Sequence, residues 1–420
     1  MKNIIEDLES RGLLDNFSSE EKVKKLLETK RTVYCGFDPS NRSMQLGNFV
    51  MITILRRFQN AGHRIIAVLG GATGMIGDPS GKKSERTFQT EEKIFENAEC
   101  LKKQLSKYLD FSDPEKGILV NNYDWWSKTD TIHYLRDYGK YFQVNQMLAK
   151  DIVKSRLEVG ISYAEFSYML LQAGDFNHLY HNYNCQIQIG GGDQWGNLTA
   201  ALDFVRKVND ESEVECFSAK LITDSEGRKF GKSEKGALFL DPTMTSPFEI
   251  YQYFINVSDS DVKKYLYIFD DRPLSELDEI YKKHMEHPEL RLGQKELAYS
   301  ITSIVHSKED ADSAVKITES LFKDDYKGLN EKEMDYLAKT FDERYTVDDV
   351  NINLVDALIL THLASSKREA REFVKNNSIR VNGEKVNDLE AVLGQDNLLH
   401  GKYIFLKRGK KNIALIELKK

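Results

Sequence analysis

Four short runs rich in β-branched and apolar residues, TVYCGF (32–37), RIIAVLGG (64–71), GILVNNY (117–123) and NCQIQIGG (184–191), alternate with amphipathic helical patterns through the first 220 residues. No other feature constrains the fold as much. Strands separated by crossover helices pair in parallel, and a parallel sheet needs helices on both faces. The expected class is therefore α/β, built on a Rossmann-like parallel sheet. Such sheets hold ligands beyond the carboxyl ends of their strands, so the chemistry is to be sought just after each run.

From about residue 247 the pattern turns helical, with SPFEIYQYFINV, SDSDVKKYLYIF, LSELDEIYKKHM and RLGQKELAYSITSIVH in succession. The stretch 323–350 is charged and poor in apolar clusters, as a linker would be. Two helical segments, LVDALILTHLA and SKREAREFVKNN, and then strand-like SIRVNGEKV and KYIFLKR…KKNIALIEL suggest a small α+β unit. The expected boundaries are 1–222 for the sheet domain, 223–246 for a mobile loop region, 247–322 for a helical domain, 323–350 for the linker and 351–420 for the last unit. Beyond residue 350 there are thirteen Lys and Arg against eight Asp and Glu, out of 59 and 66 in the whole chain. A basic tail on an acidic body suits a polyanion partner, and equally a solvated face.

The four cysteines are far apart in sequence and form no C-x-x-C pair, which suggests reduced thiols in a cytoplasm rather than a disulfide or zinc framework. The N-terminus has no apolar h-region and no run of eighteen apolar residues occurs, so neither secretion nor membrane spanning is expected, and the cysteine spacing gives no metal held by the protein.

Three loops carry the chemical signal. LGGATGMIGDPSGKKSER (69–86) places five glycines within thirteen residues after a strand, with Asp78, Lys82 and Arg86 supplying charge. Glycines permit close backbone approach to a ligand, although a tight strand-to-helix turn uses them too. SEGRKFGKSEKG (225–236) spaces Lys229 and Lys232 so that two ammonium groups converge on a charge-dense group such as a triphosphate, or stand at an exposed hairpin tip. SMQLGNFV (43–50) turns the chain at Gly47 between two neutral amides, Gln45 and Asn48. On another segment, Tyr168, Gln172 and Asp175 recur at i, i+4 and i+7 on one helical face, where buried Gln and Asp would be costly without partners.

Taken in order, YCGFDPS, GGATGMIGDPSGKKSER, NNYDW, EFSYMLLQAGDF, QIGGGDQWGN, KFGKSEKG and SKREAREFVKNNSIRVNG resemble the bacterial-type tyrosyl-tRNA synthetases, a class I aminoacyl-tRNA synthetase family, over essentially the whole chain. QLGN stands where the family carries its HIGH tetrapeptide, and KFGKS stands in the place of KMSKS.

The resemblance implies a Rossmann-like catalytic domain, an α-helical domain and a small α+β S4-like RNA-binding domain. It implies tyrosine contacts from Tyr34, Asp78, Tyr168, Gln172, Asp175 and Gln194. ATP would meet Cys35, Gly36, Asp38, Gly47, Asp193 and Lys232. Charge on the α-phosphate and the departing pyrophosphate would be stabilised by Ser40, Gln45, Asn48, Lys82, Arg86, Lys229, Lys232 and Ser233, with Mg²⁺ carried by ATP. Lys367, Arg368 and Arg371 would face tRNA(Tyr), and the chain would work as a homodimer with its interface around residues 125–165. A tryptophan-specific synthetase and a non-catalytic RNA-binding paralogue of the same fold remain open at this point.

Overall fold

The computed structural model describes residues 4–81, 88–154, 156–233, 236–341, 344–409 and 412–419. The chain packs as two compact units, one formed by residues 1–244 and 258–288 and the other by 245–257 and 289–420.

The first unit is built on a six-stranded sheet. Its strands are β1 (Leu14–Phe17), β2 (Thr32–Phe37), β3 (Arg64–Leu69), β4 (Gly117–Asn121), β5 (Cys185–Gly191) and β6 (Glu215–Ala219). They lie in the order β1-β6-β5-β2-β3-β4, parallel throughout except for β1, which runs antiparallel to β6. All four strand-like runs read from the sequence are strands here. The winding reverses between β2 and β5, so a crevice opens beyond their carboxyl ends at Phe37 and Gly191. β2, β3 and β5 are almost wholly buried, as expected of strands covered on both faces.

The helices that serve the crevice are α1 (Phe49–Asn60), α2 (Gly71–Ile76), α3 (Glu91–Tyr108), α4 (Tyr123–Trp126), α5 (Tyr163–Tyr183) and α6 (Trp195–Val208). α5 begins at Ser162, whose hydroxyl accepts the Glu165 N–H, and ends at Asn184 in the left-handed conformation, φ 52°. These caps satisfy otherwise orphaned backbone groups and fix where the helix starts and stops.

The helical stretch expected at 247–322 does not pack as one body. α7 (Pro247–Ile255), α10 (Leu292–Val305) and α11 (Lys308–Lys323) belong to the second unit, whereas α8 (Asp259–Phe269) and α9 (Leu274–Glu286) belong to the first. The reason lies in contacts between residues distant in sequence. Phe269 at the end of α8 stacks on Phe230 and on Phe49, with ring centroids 4.8 and 6.2 Å apart. Buried Arg11 and Arg57 then donate to the Asp270 carbonyl at 2.9 Å each, closing the carbonyls that end the helix.

Residues 323–350 likewise differ from the linker expected of their composition. They contain α12 (Glu331–Lys339) and strand β7 (Arg344–Val347). α12 opens with a capping box in which the Glu333 N–H donates to Asn330 Oδ1 at 2.9 Å and the Asn330 N–H to Glu333 Oε2 at 2.7 Å. Its buried face is only Met334, Leu337 and Ala338 beside the capping Glu333, and charged residues cover the rest. β7 pairs in parallel with β11 (Asn412–Leu418), at one edge of a five-stranded sheet that also holds β8 (Ile379–Val381), β9 (Glu384–Lys385) and β10 (Tyr403–Arg408). Two helices, α13 (Leu354–Leu360) and α14 (Lys367–Lys375), complete the α+β part.

Leu337→Ala tests whether this segment is structural. Leu337 is fully buried, so its truncation is expected to lower the unfolding free energy in urea by about 2–5 kcal/mol, where a linker residue would register within ~0.5 kcal/mol.

Candidate active site

Polar residues just beyond β2 and β4 form one hydrogen-bonded chain with side chains of α2, α4 and α5. Beyond β2, Asp38 accepts from Thr73 Oγ1 at 2.7 Å and from the Tyr168 hydroxyl at 2.9 Å. Asn122, beyond β4, spends the two hydrogens of its amide on Thr73 Oγ1 and Asp175 Oδ2, both at 3.0 Å. The other carboxylate oxygen, Asp175 Oδ1, accepts from Trp125 Nε1 at 2.9 Å and Trp126 Nε1 at 2.7 Å. The series thus runs from Tyr168 through Asp38, Thr73 and Asn122 to Asp175. Gly70 is required beside it, because a Cβ there would fall 1.9 Å from Asp38 Oδ1.

Asp175 is 4% exposed and Tyr34 2%. Burial lifts the Asp175 carboxyl to about 7, against the pull of the Asn122, Trp126 and Trp125 donors. Burial first, and then the Asp175 charge, hold the Tyr34 phenol well above its ordinary value. The Tyr34 hydroxyl has no hydrogen-bond partner among the described residues. Burial and the Asp38 charge likewise keep Tyr168 neutral. Gln172, one turn along α5 from Tyr168, has a buried amide oxygen without a partner among the described residues.

A second cluster sits where β5 hands over to α6. Asp78 accepts from Gln194 Nε2 at 2.6 Å on one oxygen, and from the Ser80 N–H and Asn197 Nδ2 on the other. Gln194 Oε1 accepts in turn from Asn197 Nδ2 at 3.1 Å. Beside it, exposed Asp193 lies 3.7 Å from where a Cβ on Gly81 would be. At the end of β2, Cys35 is buried while Gly36 is exposed with open space beside its Cα, and exposed Ser40 donates its N–H to the Asp38 carbonyl at 2.8 Å.

The two short loops singled out by composition meet through their backbones. In the 45–48 turn, Asn48 Oδ1 accepts the Gln45 N–H at 3.0 Å and the Asn48 N–H returns to the Gln45 carbonyl at 2.9 Å. The Leu46 N–H donates to the Leu238 carbonyl at 2.7 Å, and a Cβ on Gly231 would lie 3.0 Å from the Gly47 nitrogen. Gly231 has φ +78°, so both the conformation and the close approach call for glycine. Phe230 anchors the loop on Phe269 and Tyr265, which leaves Lys229 and Lys232 exposed on either side; Ser233 donates to the Gly236 carbonyl across the hairpin. Lys82 and Arg86 lie outside the described residues.

On α14, Arg368 and Arg371 are exposed, and Lys367 pairs with Asp356 at 2.7 Å. No helix among the described residues is long and apolar enough to cross a membrane.

Comparison with known proteins gives this arrangement a family. The profile described as tRNA synthetases class I (W and Y) matches residues 26–323, and a tyrosine–tRNA ligase SYY-like C-terminal domain matches 334–416. The chain belongs to the class I tRNA synthetases. It is 47% identical over 419 residues to a tyrosine–tRNA ligase of Listeria welshimeri, spanning 99% of this chain and all of that one, and 45% identical over 417 residues to tyrosine–tRNA ligase 1 of Bacillus cereus, spanning 98% and 99%. Among solved structures, a C-terminally truncated mitochondrial tyrosyl-tRNA synthetase of Aspergillus nidulans superimposes with a TM-score of 0.69 at 31% identity, covering 77% of this chain and 95% of that one.

Within this synthetase, Thr73, Asn122, Trp125, Trp126 and Asn197 are the polar partners that sequence reasoning did not single out. Four of them lie inside quoted motifs, GGATG, NNYDW and GGDQWGN, but nothing in their spacing separates a hydrogen-bonding side chain from a packing one. The buried carboxylate of the synthetase makes a pH prediction. Its folded pKa of about 7 lies above the ordinary 3.8, so between these values the folded state holds more protons than the unfolded, and stability falls as pH rises through that window. Asp175→Asn is expected to flatten this slope and raise the Tm of the ligand-free enzyme at pH 8, read by melting at a series of pH values.

Proposed function

We propose that this synthetase is a tyrosine–tRNA ligase, joining L-tyrosine to ATP as tyrosyl-adenylate with release of pyrophosphate and then passing tyrosine to the 3′-terminal adenosine of tRNA(Tyr). The observation that carries the reading is the pairing of two buried groups, an unpartnered phenol O–H on Tyr34 and the Asp175 carboxylate. A phenol hydroxyl accepts from the first and donates to the second at once. An indole N–H only donates, so tryptophan would leave the buried Tyr34 hydroxyl unsatisfied. Both relatives described above carry the name tyrosine–tRNA ligase.

In this reading the substrate's ammonium is met by Tyr168, Gln172 and the Asp78–Gln194 pair, consistent with the unpartnered Gln172 oxygen. ATP lies over Cys35, Gly36 and Asp38 at the end of β2, with Gly47, Asp193 and Lys232 around it. The tyrosine carboxylate attacks the α-phosphate in line, and pyrophosphate leaves. No protein side chain becomes covalently attached. The chain's part is to align the reactants and to hold donors where charge builds: Ser40, the Gln45 and Asn48 amides, Ser233, and the ammonium groups of Lys229 and Lys232, with Lys82 and Arg86 expected to join them. Mg²⁺ belongs to the nucleotide substrate in this scheme and offsets part of the triphosphate charge.

The tRNA is assigned to the C-terminal α+β part, with Lys367, Arg368 and Arg371 toward phosphates. A homodimer is supported by large apolar side chains left exposed within or near residues 125–165, among them Ile132, Val144, Val159 and Tyr163. A cytoplasmic setting agrees with four free cysteine thiols.

ATP–pyrophosphate exchange tests the assignment. Exchange is expected with tyrosine and not with tryptophan or phenylalanine; exchange with tryptophan alone would overturn the substrate, and RNA binding with no exchange would indicate a non-catalytic relative. Lys232→Ala is expected to slow exchange about 10- to 100-fold while leaving tyrosine affinity near wild type. Replacing a neutral amide by an imidazole that carries charge, Gln45→His, is expected to speed it by up to about tenfold, measured under the same conditions.

A further inference from the structure

Asp175 receives two indole N–H groups on a single oxygen, and the second of them depends on a glycine. Trp126 lies across α5 at Gly174, where a Cβ would fall 2.4 Å from Cζ2 and 2.6 Å from Cη2 of the indole, and 2.9 Å from Cε1 of Tyr138. Gly174 sits within a 21-residue helix, where glycine is about 1 kcal/mol less favourable than alanine. The indole is what that glycine accommodates. Tyr138 and Tyr134 pack against it, with centroids 5.0 and 6.2 Å away, while Trp125 is fixed separately by stacking on His178 at 4.2 Å.

A carboxylate offers about four acceptor positions, two on each oxygen. In Asp175 both positions on Oδ1 are taken, by Trp125 and Trp126, and one on Oδ2 is taken by Asn122. One acceptor position is left. We infer that Trp126, seated on Gly174, is a positioning residue for tyrosine recognition, saturating Oδ1 so that the substrate hydroxyl has a single place to donate, on Oδ2.

This inference rests on the tyrosine–tRNA ligase reading and names a determinant of its specificity. Trp126 acts through Asp175, at the end of the substrate remote from the reacting carboxylate. Its loss therefore removes binding common to ground and transition states, which raises KM and leaves kcat alone. It also removes a donor that favours the ionised carboxylate. The titratable groups facing Asp175 are Tyr34 on β2, Asp38 beyond it, Tyr138 and, on α5, Tyr168. None of them is altered by the substitutions below.

The test is tyrosine-dependent ATP–pyrophosphate exchange on the full chain, wild type first. Absence of exchange in the wild type would overturn the ligase reading itself, and with it the inference. With exchange present, Trp126→Phe is expected to raise KM for tyrosine about tenfold or more with kcat within about threefold, and to move the acid limb of the kcat/KM profile to higher pH. Gly174→Ala is expected to raise KM similarly by displacing the indole. In a Trp126→Leu background the same alanine is expected to raise KM several-fold less than it does in the wild type, because only its contact with Tyr138 remains. An unchanged KM in Trp126→Phe, a fall confined to kcat, or an alanine effect on KM as large without the indole as with it would each overturn the inference.

Discussion

The first unit depends on placing two carboxylates, half-buried Asp38 and buried Asp175, beside one crevice. Neutral donors reach both, Thr73 and Tyr168 on Asp38, and Asn122, Trp125 and Trp126 on Asp175. Asp175 is buried and met by dipoles among the described residues, and a buried charge held in that way keeps much of its field. Such a site is uncomfortable when empty and gains when a ligand supplies the missing partner. The parallel sheet makes the arrangement possible by delivering Asp38, Gly70 and Asn122 from three adjacent strand ends to one rim.

Much of the first unit was legible because period and punctuation agree there. The runs at 32–37, 64–71, 117–123 and 184–191 are apolar, short and followed by Gly, Asn or Asp, and they became β2, β3, β4 and β5 with ends within two residues of the expectation. The same motifs also brought several of the candidate residues close in space. Tyr168, Gln172 and Asp175 do share a face of α5, and the 45–48 turn and the 225–236 hairpin do meet.

What stayed hidden was hidden for physical reasons. Trp125 and Trp126 look like core aromatics in a string of letters, and only geometry shows their N–H groups converging on one oxygen. α8 and α9 read as a continuation of the helical stretch after 247, because the stacking of Phe269 on Phe230 that ties them to the first unit joins residues 39 apart. The charged composition of 323–350 concealed α12 and β7. α12 buries only a narrow stripe and satisfies its ends by capping, and β7 is half-exposed on a sheet edge, so neither needs the apolar density that marks an element from sequence.

That edge strand has a consequence for where the molecule divides. β7 precedes the stretch that looks like a self-contained module, yet its partner is β11, the last strand of the chain, and Tyr326 farther upstream stacks face to face on Phe405 in β10. A recombinant fragment begun at residue 351 would lack one margin of its sheet and expose the aromatic ring that Tyr326 covers. Asp324, whose carboxylate receives Lys407, belongs with this sheet too, so a fragment has to begin ahead of it. Evolutionary exchange of this module between proteins would have to carry the charged stretch along with it.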